Sequence, residues 1–577
     1  MTTKQRISDH LVFLYGKETG CDVSKQLAAL LEEFRKRNPR LASDAAPSAD
    51  RLTERDAFLI TYGDQIVETG QPPLQTLAHF LRTNLADMIG GVHLLPHYPS
   101  SSDDGFSVID FWKVDPALGT WNDVARIGNG FRLMLDGVIN HVSRQSEWFQ
   151  QFVRDEPRYR DYFIRVDPRV DLSLVARPRT SPLLTPVETA RGIQHVWTTF
   201  SADQIDLNYK NPEVLLAIIG LLLFYAEQGA QVIRLDAIAY LWKEIGTNCL
   251  HLPQTHRVVK LFRSVLDEVA PGVLLITETN VPHPDNVSYF GNGADEAQMV
   301  YNFALPPLVL HTFRLGNARR LTDWAATLTT PSSSTTFFNF IASHDGIGLT
   351  PARGLLDEGE IQALVERAQA HGGQVSCKSN PDGSSSPYEL NITLFDALND
   401  PRVDDPATDV PRFLAAQAIM LSLAGVPGVY IHSLFGSRNC HACVDETGRT
   451  RSINREKFPQ AALETELANP QSLKHRLFTG IKRLLEIRRD QPEFHPNAAQ
   501  RVLSLGNGVF ALVRGGRLLA IVNVTPQPQN ISLGLADAGL PSSVAWRDLI
   551  GGQRFAVEGG RLQLRTGPYQ SLWLKPA

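Results

Sequence analysis

Short apolar runs that end in polar residues, each followed by a stretch of helical periodicity, recur along the middle of the chain. Eight of them have the character of buried strands: FLITYGD (58–64), GVHLLPH (91–97), RLMLDGVINH (132–141), AQVIRLDA (230–237), GVLLITETN (272–280), MVYNFAL (299–305), FFNFIASHD (337–345) and GVPGVYIHS (425–433). Strands alternating with helices imply parallel βαβ units, and eight units predict a closed (β/α)8 TIM barrel, an α/β fold. The longest apolar run, thirteen residues from Val214 to Ala226, follows Asn211-Pro212-Glu213. That triplet supplies an N-cap, a proline at the first helical position and an acidic first turn, so a packed helix is expected. Thirteen residues fall short of the ~20 needed to span a bilayer.

The pattern changes around this barrel. Residues 1–56 read as a helical extension and linker: QLAALLEEFRKRN has apolar residues at helical spacing, and 41–56 is a polar connector. The barrel begins at 57–141 and resumes at 209–495. Two intervals are too long for simple crossovers, an inserted domain at 142–208 and an insertion at about 346–410 that carries SNPDGSSSPYELN. Insertions after barrel strands lie on the C-terminal face, where chemistry sits. From 496 to 577, short strands punctuated by Gly-Asn-Gly and Gly-Gly predict a C-terminal antiparallel β domain.

Composition narrows the partners. The 577 residues are 43% apolar and 20% charged, enough for a large core. Lys and Arg number 56 against 61 Asp and Glu, a net charge of −5, which argues against nucleic acid and anionic membranes. Cys21, Cys249, Cys377, Cys440 and Cys443 are too sparse for a disulfide framework, and Cys440-His441-Ala442-Cys443 is one unpaired CxxC. A reducing cytoplasm is the expected compartment. The first twenty residues carry no apolar signal region.

Three acids stand at or just past predicted strand ends: Asp236, Glu278 and Asp345. A barrel turns such ends to one face, so residues 42 and 67 positions apart can converge. One acid alone would more often cap a helix or join a structural ion pair; three such ends with polar neighbours favour chemistry. Arg234 shares a strand side with Asp236, which should lower that carboxyl and keep it ionised. Asn140-His141 and His344 end strands beside the acids and suit hydrogen bonding to a polyhydroxylated substrate. No His or Cys pair in this group has ligand spacing, so neither metal nor cofactor is expected.

DGVINH (136–141), RLDAIAY (234–240), ITETN (276–280) and ASHDG (342–346) resemble the four signature regions of the α-amylase family, glycoside hydrolase family 13. ITYGDQI, HLLPHYPSSSDDGFSVIDFWKVD and YNFALPPLVLH resemble its sucrose phosphorylase subfamily. The N-terminal extension, LWKEIGT, HLPQTH, SPYELN and SRN…RSINRE are closest to the glucosylglycerate phosphorylases. Sucrose phosphorylases are usually shorter and carry Gln where this chain has Glu389.

The resemblance implies Asp236 as nucleophile, Glu278 as general acid/base and Asp345 as the acid that stabilises the transition state. It implies that Arg234, His141 and His344 hold the glucosyl ring, that Asp103 and Arg451 grip its far hydroxyls, and that Phe106 and Tyr240 form aromatic walls. Arg177 and Arg179 match a loop implicated in phosphate handling, while Arg438 and Arg455 are further candidates for phosphate or acceptor. Glu389 would disfavour an anion against it unless paired with an arginine. The implied activity is phosphorolysis of an α-glucoside, most closely 2-O-(α-D-glucosyl)-D-glycerate, to α-glucose 1-phosphate and D-glycerate. Phosphorolysis of sucrose, sucrose 6′-phosphate or glucosylglycerol, hydrolysis or transglucosylation, and an inactive binding barrel are the alternatives. The partners are small molecules, the α-glucoside and phosphate, with a homodimer admitted but not required.

Overall fold

The structure, a computed structural model, describes residues 2–43, 51–380 and 382–577. Each of the eight apolar runs forms a short strand: β1 (Phe58–Thr61), β2 (Gly91–Leu94), β3 (Arg132–Gly137), β4 (Ala230–Leu235), β5 (Leu274–Thr277), β6 (Met299–Tyr301), β7 (Thr336–Asn339) and β8 (Val426–Tyr430). They pair in chain order, all parallel, and β8 closes on β1 with Phe58 opposite Gly428. Of these strand residues only Arg132 and Gln231 escape full burial, because helices cover the outside and side chains fill the inside. A Cβ on Gly91 would lie 2.3 Å from the Phe58 ring, so glycine there admits the aromatic filling the barrel floor.

The extension folds as two helices, α1 (Thr3–Tyr15) and α2 (Lys17–Arg37), joined at Gly16. They pack on the barrel's outer layer: Tyr15 Oη donates to the Tyr209 carbonyl at 2.9 Å, and Arg35 meets Glu268 at 2.8 Å. The predicted linker at 41–56 lies partly outside the described residues, at 44–50. The apolar run after Asn211 is α3 (Pro212–Glu227), and the Asn211 side chain caps it by accepting from the Glu213 amide.

After β3, the strand His141–Ser143 pairs with Gln204–Asp206 to frame the first insertion, whose small core of Val166, Val175, Leu183 and Trp197 is completed by Cys249 from the segment after β4. After β7, Ile347–Gly348, Gln374–Ser379 and Ser385–Asn391 form a three-stranded sheet beside the helix Glu358–Ala370. A bridge between Arg177 and Ser379 joins the two insertions above the barrel mouth. From Gln500 to Pro576, eight strands form one sheet over a separate apolar core that includes Trp546. At its junction with the barrel, buried Arg488 and Arg514 donate to main-chain carbonyls such as those of Phe494 and Ser422 and not to carboxylates.

The lone CxxC holds a bond that was not foreseen in the sequence: Cys440 and Cys443 form a disulfide. Cys440 caps the helix His441–Thr447, and one helical turn puts the two Cα atoms 5.3 Å apart, within disulfide reach. Cys21, Cys249 and Cys377 are free thiols. Among the described residues no helix is long and apolar enough to cross a membrane, and no group of three or more His, Cys, Asp or Glu could hold a metal ion.

Candidate active site

Asp236 and Glu278 are the first residues beyond β4 and β5, so the parallel register sets them side by side at the C-terminal face. Ala237 then turns left-handed, at φ 49°, and donates its amide to Glu278 Oε2 at 2.9 Å. A residue with a Cβ adopts this backbone only where its surroundings enforce it, and here the turn links the two acids.

Behind them lies Arg234, 1% exposed. Its Nη1 donates to Asp136 Oδ1 at 2.5 Å and to Asp236 Oδ1 at 2.7 Å, while Nη2 stands 3.9 Å from Glu278 Oε2. The rings of Tyr301 and Phe106 flank the guanidinium at 5.4 and 5.7 Å. One cation is thus shared among three carboxylates. Asp136 gains a second partner, His93 Nε2 at 2.8 Å, and despite its burial is held down to about 2, chiefly by His93 and Arg234. For Asp236 burial outweighs Arg234 and raises the carboxyl above its ordinary value. Arg234 does lower the carboxyl as expected, but burial outweighs it and Asp136 adds repulsion, so the net direction is reversed. Glu278 is raised to about 7: burial dominates and outweighs the opposing charge of Arg234, and Asp236 and Asp345 add repulsion.

Asp345 contrasts with both. Burial alone would raise it, but Arg451 Nη1 at 2.5 Å, with His344 and Arg234 nearby, holds its carboxyl well below the usual range. Arg451 also grips Glu389 with two groups, Nη2 to Oε1 at 2.9 Å and Nε to Oε2 at 3.3 Å. Glu389 in turn accepts the Gly346 amide at 2.7 Å. The pairing foreseen as the condition for an anion near Glu389 is thus present.

His141 Nε2 lies 2.9 Å from the Phe106 carbonyl oxygen. Its neighbour Asn140 is fixed by buried Lys243, whose Nζ donates to Asn140 Oδ1 at 2.8 Å and meets Asp206 at 2.5 Å. The Phe106 ring stacks on His344, at 4.9 Å between centroids and 2° between planes.

The pocket is lined by ten of the fifteen residues singled out in the sequence: Asp236, Glu278, Asp345, Asp103, Phe106, His141, His344, Glu389, Arg451 and Arg179. Five stand outside it. Arg234 lies beneath the floor. Tyr240 packs edge-on behind Phe200, 5.4 Å between centroids, so Phe200 and not Tyr240 forms that wall. Arg177 donates to the Ser181 carbonyl within its own loop. Arg438 pairs with Asp396 at 3.0 Å and lies over the Phe395 ring. Arg455 is buried, donating to the His344 carbonyl at 2.9 Å and pairing with Asp104. Arg177, Arg438 and Arg455 thus stand outside the pocket lining, each donating to another group. Arg179 differs: it faces the pocket between the rings of Tyr388 and Phe200, at 5.6 and 6.0 Å, and makes no ion pair among the described residues.

Phe200, Gln204, Asn280, Phe303 and Tyr388 also line the pocket and were not foreseen. Asn280 and Tyr388 stood inside the motifs ITETN and SPYELN, so a wider reading of those motifs reaches them. Phe200 and Gln204 come from the first insertion, whose sequence offers no periodic signal.

Residues 86–347 match the family model for the α-amylase catalytic domain. Over its length the chain is 53% identical to glucosylglycerate phosphorylase of Allomeiothermus silvanus, across 99% of this chain and 98% of that protein. It is 45% identical to glucosylglycerate phosphorylase of Escherichia coli, across 99% of this chain and all of the other. Among solved structures, sucrose 6F-phosphate phosphorylase from Thermoanaerobacter thermosaccharolyticum superposes with a TM-score of 0.70 at 26% identity, covering 82% of this chain and 94% of that one.

Proposed function

Because the chain belongs to the α-amylase family, glycoside hydrolase family 13, among its glucosylglycerate and sucrose phosphorylases, we propose that the pocket phosphorolyses 2-O-(α-D-glucosyl)-D-glycerate with retention. Retaining glycosidases use two carboxyls about 5–5.5 Å apart, one a nucleophile and one an acid. Their pKa values must differ, and here one guanidinium divides them: Arg234 bonds Asp236 at 2.7 Å but stays 3.9 Å from Glu278. Asp236 attacks the anomeric carbon as Glu278 passes its proton to the departing glycerate oxygen. A β-glucosyl ester forms on Asp236. Phosphate then attacks the same carbon and yields its proton to Glu278, the ester bond breaks, and α-glucose 1-phosphate leaves. Asp345, ionised and clamped by Arg451, stabilises the oxocarbenium-like transition state through the sugar hydroxyls. Asp103, His141 and His344 orient the ring.

The observation that carries phosphate as acceptor is Arg179, a pocket-facing guanidinium with no carboxylate partner among the described residues. A phosphate dianion entering beside Asp236, Glu278 and Asp345 needs such a charge. Glycerate is also an anion and leaves before phosphate arrives, so one guanidinium serves each in turn. A cytoplasmic setting fits a reaction consuming inorganic phosphate. The test is consumption of glucosylglycerate with and without phosphate, then phosphate release from α-glucose 1-phosphate with D-glycerate, glycerol, fructose or fructose 6-phosphate. D-glycerate should be the best acceptor. Phosphate-independent consumption would instead mark a hydrolase, and a better sugar acceptor would reassign the specificity.

A further inference from the structure

Three consecutive residues on the β2 loop, Asp103, Asp104 and Gly105, have left-handed backbone, with φ of 53°, 47° and 106°. Two of them carry a Cβ, so the loop keeps this shape only if something outside it enforces it. The loop matters because Asp103 and Phe106 line the pocket on either side of the turn. Asp104 is absent from that lining; its carboxylate meets Arg455, and Arg449 Nη1 at 3.2 Å.

Arg455 is 5% exposed and also does not line the pocket. Besides holding Asp104, its Nε donates to the His344 carbonyl at 2.9 Å, and its guanidinium lies 5.6 Å from the Tyr62 ring centre. His344 precedes Asp345 and stacks on Phe106. One planar cation thus joins two opposed walls, the Asp103–Phe106 turn and the His344–Asp345 backbone. Arg451, four residues earlier on the same segment, grips Asp345 from inside the pocket while Arg455 braces the backbone from behind.

Building on the glucosyl reading of this pocket, we propose that Arg455 and Asp104 form a positioning pair that sets the glucosyl subsite, and through Asp103 its hold on the far hydroxyls of the sugar. A lysine at 455 could keep the ion pair but not the second bond to the His344 carbonyl, since only the guanidinium fork reaches both.

The test uses Arg455→Ala, Arg455→Lys and Asp104→Asn, each checked by thermal melting. Donors are α-D-glucosyl fluoride and its 4-deoxy analogue at saturating phosphate, read as fluoride release. Asp104→Asn and Arg455→Ala should lower kcat/KM for glucosyl fluoride by roughly ten- to a hundredfold, mainly through KM. The 4-deoxy donor, which lacks the ring hydroxyl opposite the anomeric carbon, should lose far less, so the preference between donors shrinks. Arg455→Lys should fall between. If Arg455→Ala does not fold, Asp104→Asn alone decides. Folded variants whose donor preference equals wild type overturn the pair, whether their rates fall or not. Wild-type protein that ignores glucosyl fluoride overturns the glucosyl reading and this proposal with it.

Discussion

At the floor of the pocket, Asp236 and Glu278 stand one residue past β4 and β5, tied to one guanidinium that is itself on β4. At the mouth, Arg179 and Phe200 come from the first insertion and Tyr388 and Glu389 from the second, and Arg451 reaches in from the segment after β8. The floor's geometry follows from strand register, which a barrel fixes to within a residue. The mouth's geometry depends on how two insertions pack on each other. Charge divides them as well. Every floor carboxylate shares or owns an arginine, whereas Arg179 at the mouth has no ion-pair partner among the described residues. The floor is set up for one ring chemistry, and the mouth for whichever anion enters.

Breaking the floor should cost most. Asp236→Asn removes the nucleophile and should abolish phosphorolysis, a loss of about 10⁴-fold or more, with the thermal transition retained. Near-normal turnover would remove Asp236 from its role. Next comes Glu278. Its carboxyl sits at about 7, so the proton it must donate is present below that pH and lost above it. The kcat/KM for glucosylglycerate should therefore fall as pH rises through about 7. With α-glucosyl fluoride, whose leaving group needs little protonation, that alkaline limb should vanish. Glu278→Gln should likewise cost about 10²–10⁴-fold on the glucoside and much less on the fluoride. Equal losses on both donors would contradict the general-acid assignment.

The same division governs what was legible in the sequence. The eight strands could be read because burial on both faces makes each an uninterrupted apolar run, and the acids because a polar residue must end such a run where it meets solvent. Asp136 lies within the quoted motif DGVINH, yet its role as Arg234's second partner was not foreseen. Asp236 was expected low and is instead raised, chiefly by burial that the strand pattern alone does not weigh against Arg234, with Asp136 adding repulsion. Near the mouth, Arg438 and Arg455 were candidate anion ligands, but a sequence does not say which way a side chain turns. Arg438 turns to Asp396, on the short helix Leu394–Leu398, and Arg455 to Asp104, each meeting an acid placed by another segment. The Cys440–Cys443 bond was missed for a similar reason, since it depends on a one-turn helix start and not on the count of cysteines.

Sharpening the comparison at the mouth requires separating Arg179 from the floor. Arg179→Ala should raise the KM for phosphate, and for D-glycerate in synthesis, by roughly 10- to 150-fold, the value of a lost charge-assisted hydrogen bond of about 1.5–3 kcal/mol. Formation of the glucosyl-enzyme from α-glucosyl fluoride, followed in a single turnover without phosphate, should change little. A comparable loss in that half-reaction would place Arg179 with the floor.

The smallest effect is expected at Arg438, and it tests whether proximity in sequence implies a place in the site. Arg438 lies in the arginine-rich segment with Arg451, but its guanidinium pairs with Asp396 and lies 4.8 Å from the Phe395 ring centre, outside the pocket lining. The Asp396 carboxylate keeps a second partner, the Asn439 amide at 2.7 Å, so removing the guanidinium does not strip it of hydrogen bonds. Arg438→Ala should therefore leave the KM for D-glycerate and for glycerol within about twofold of wild type, the range of a substitution that touches no reacting group. The neutral acceptor is the control. A rise for glycerate alone would mean that the anion reaches past the mouth to Arg438 and that the acceptor site extends beyond the pocket seen here. A rise for both would trace to the shared loop, because Asn439 also holds the Thr393 amide and the His371 carbonyl in place.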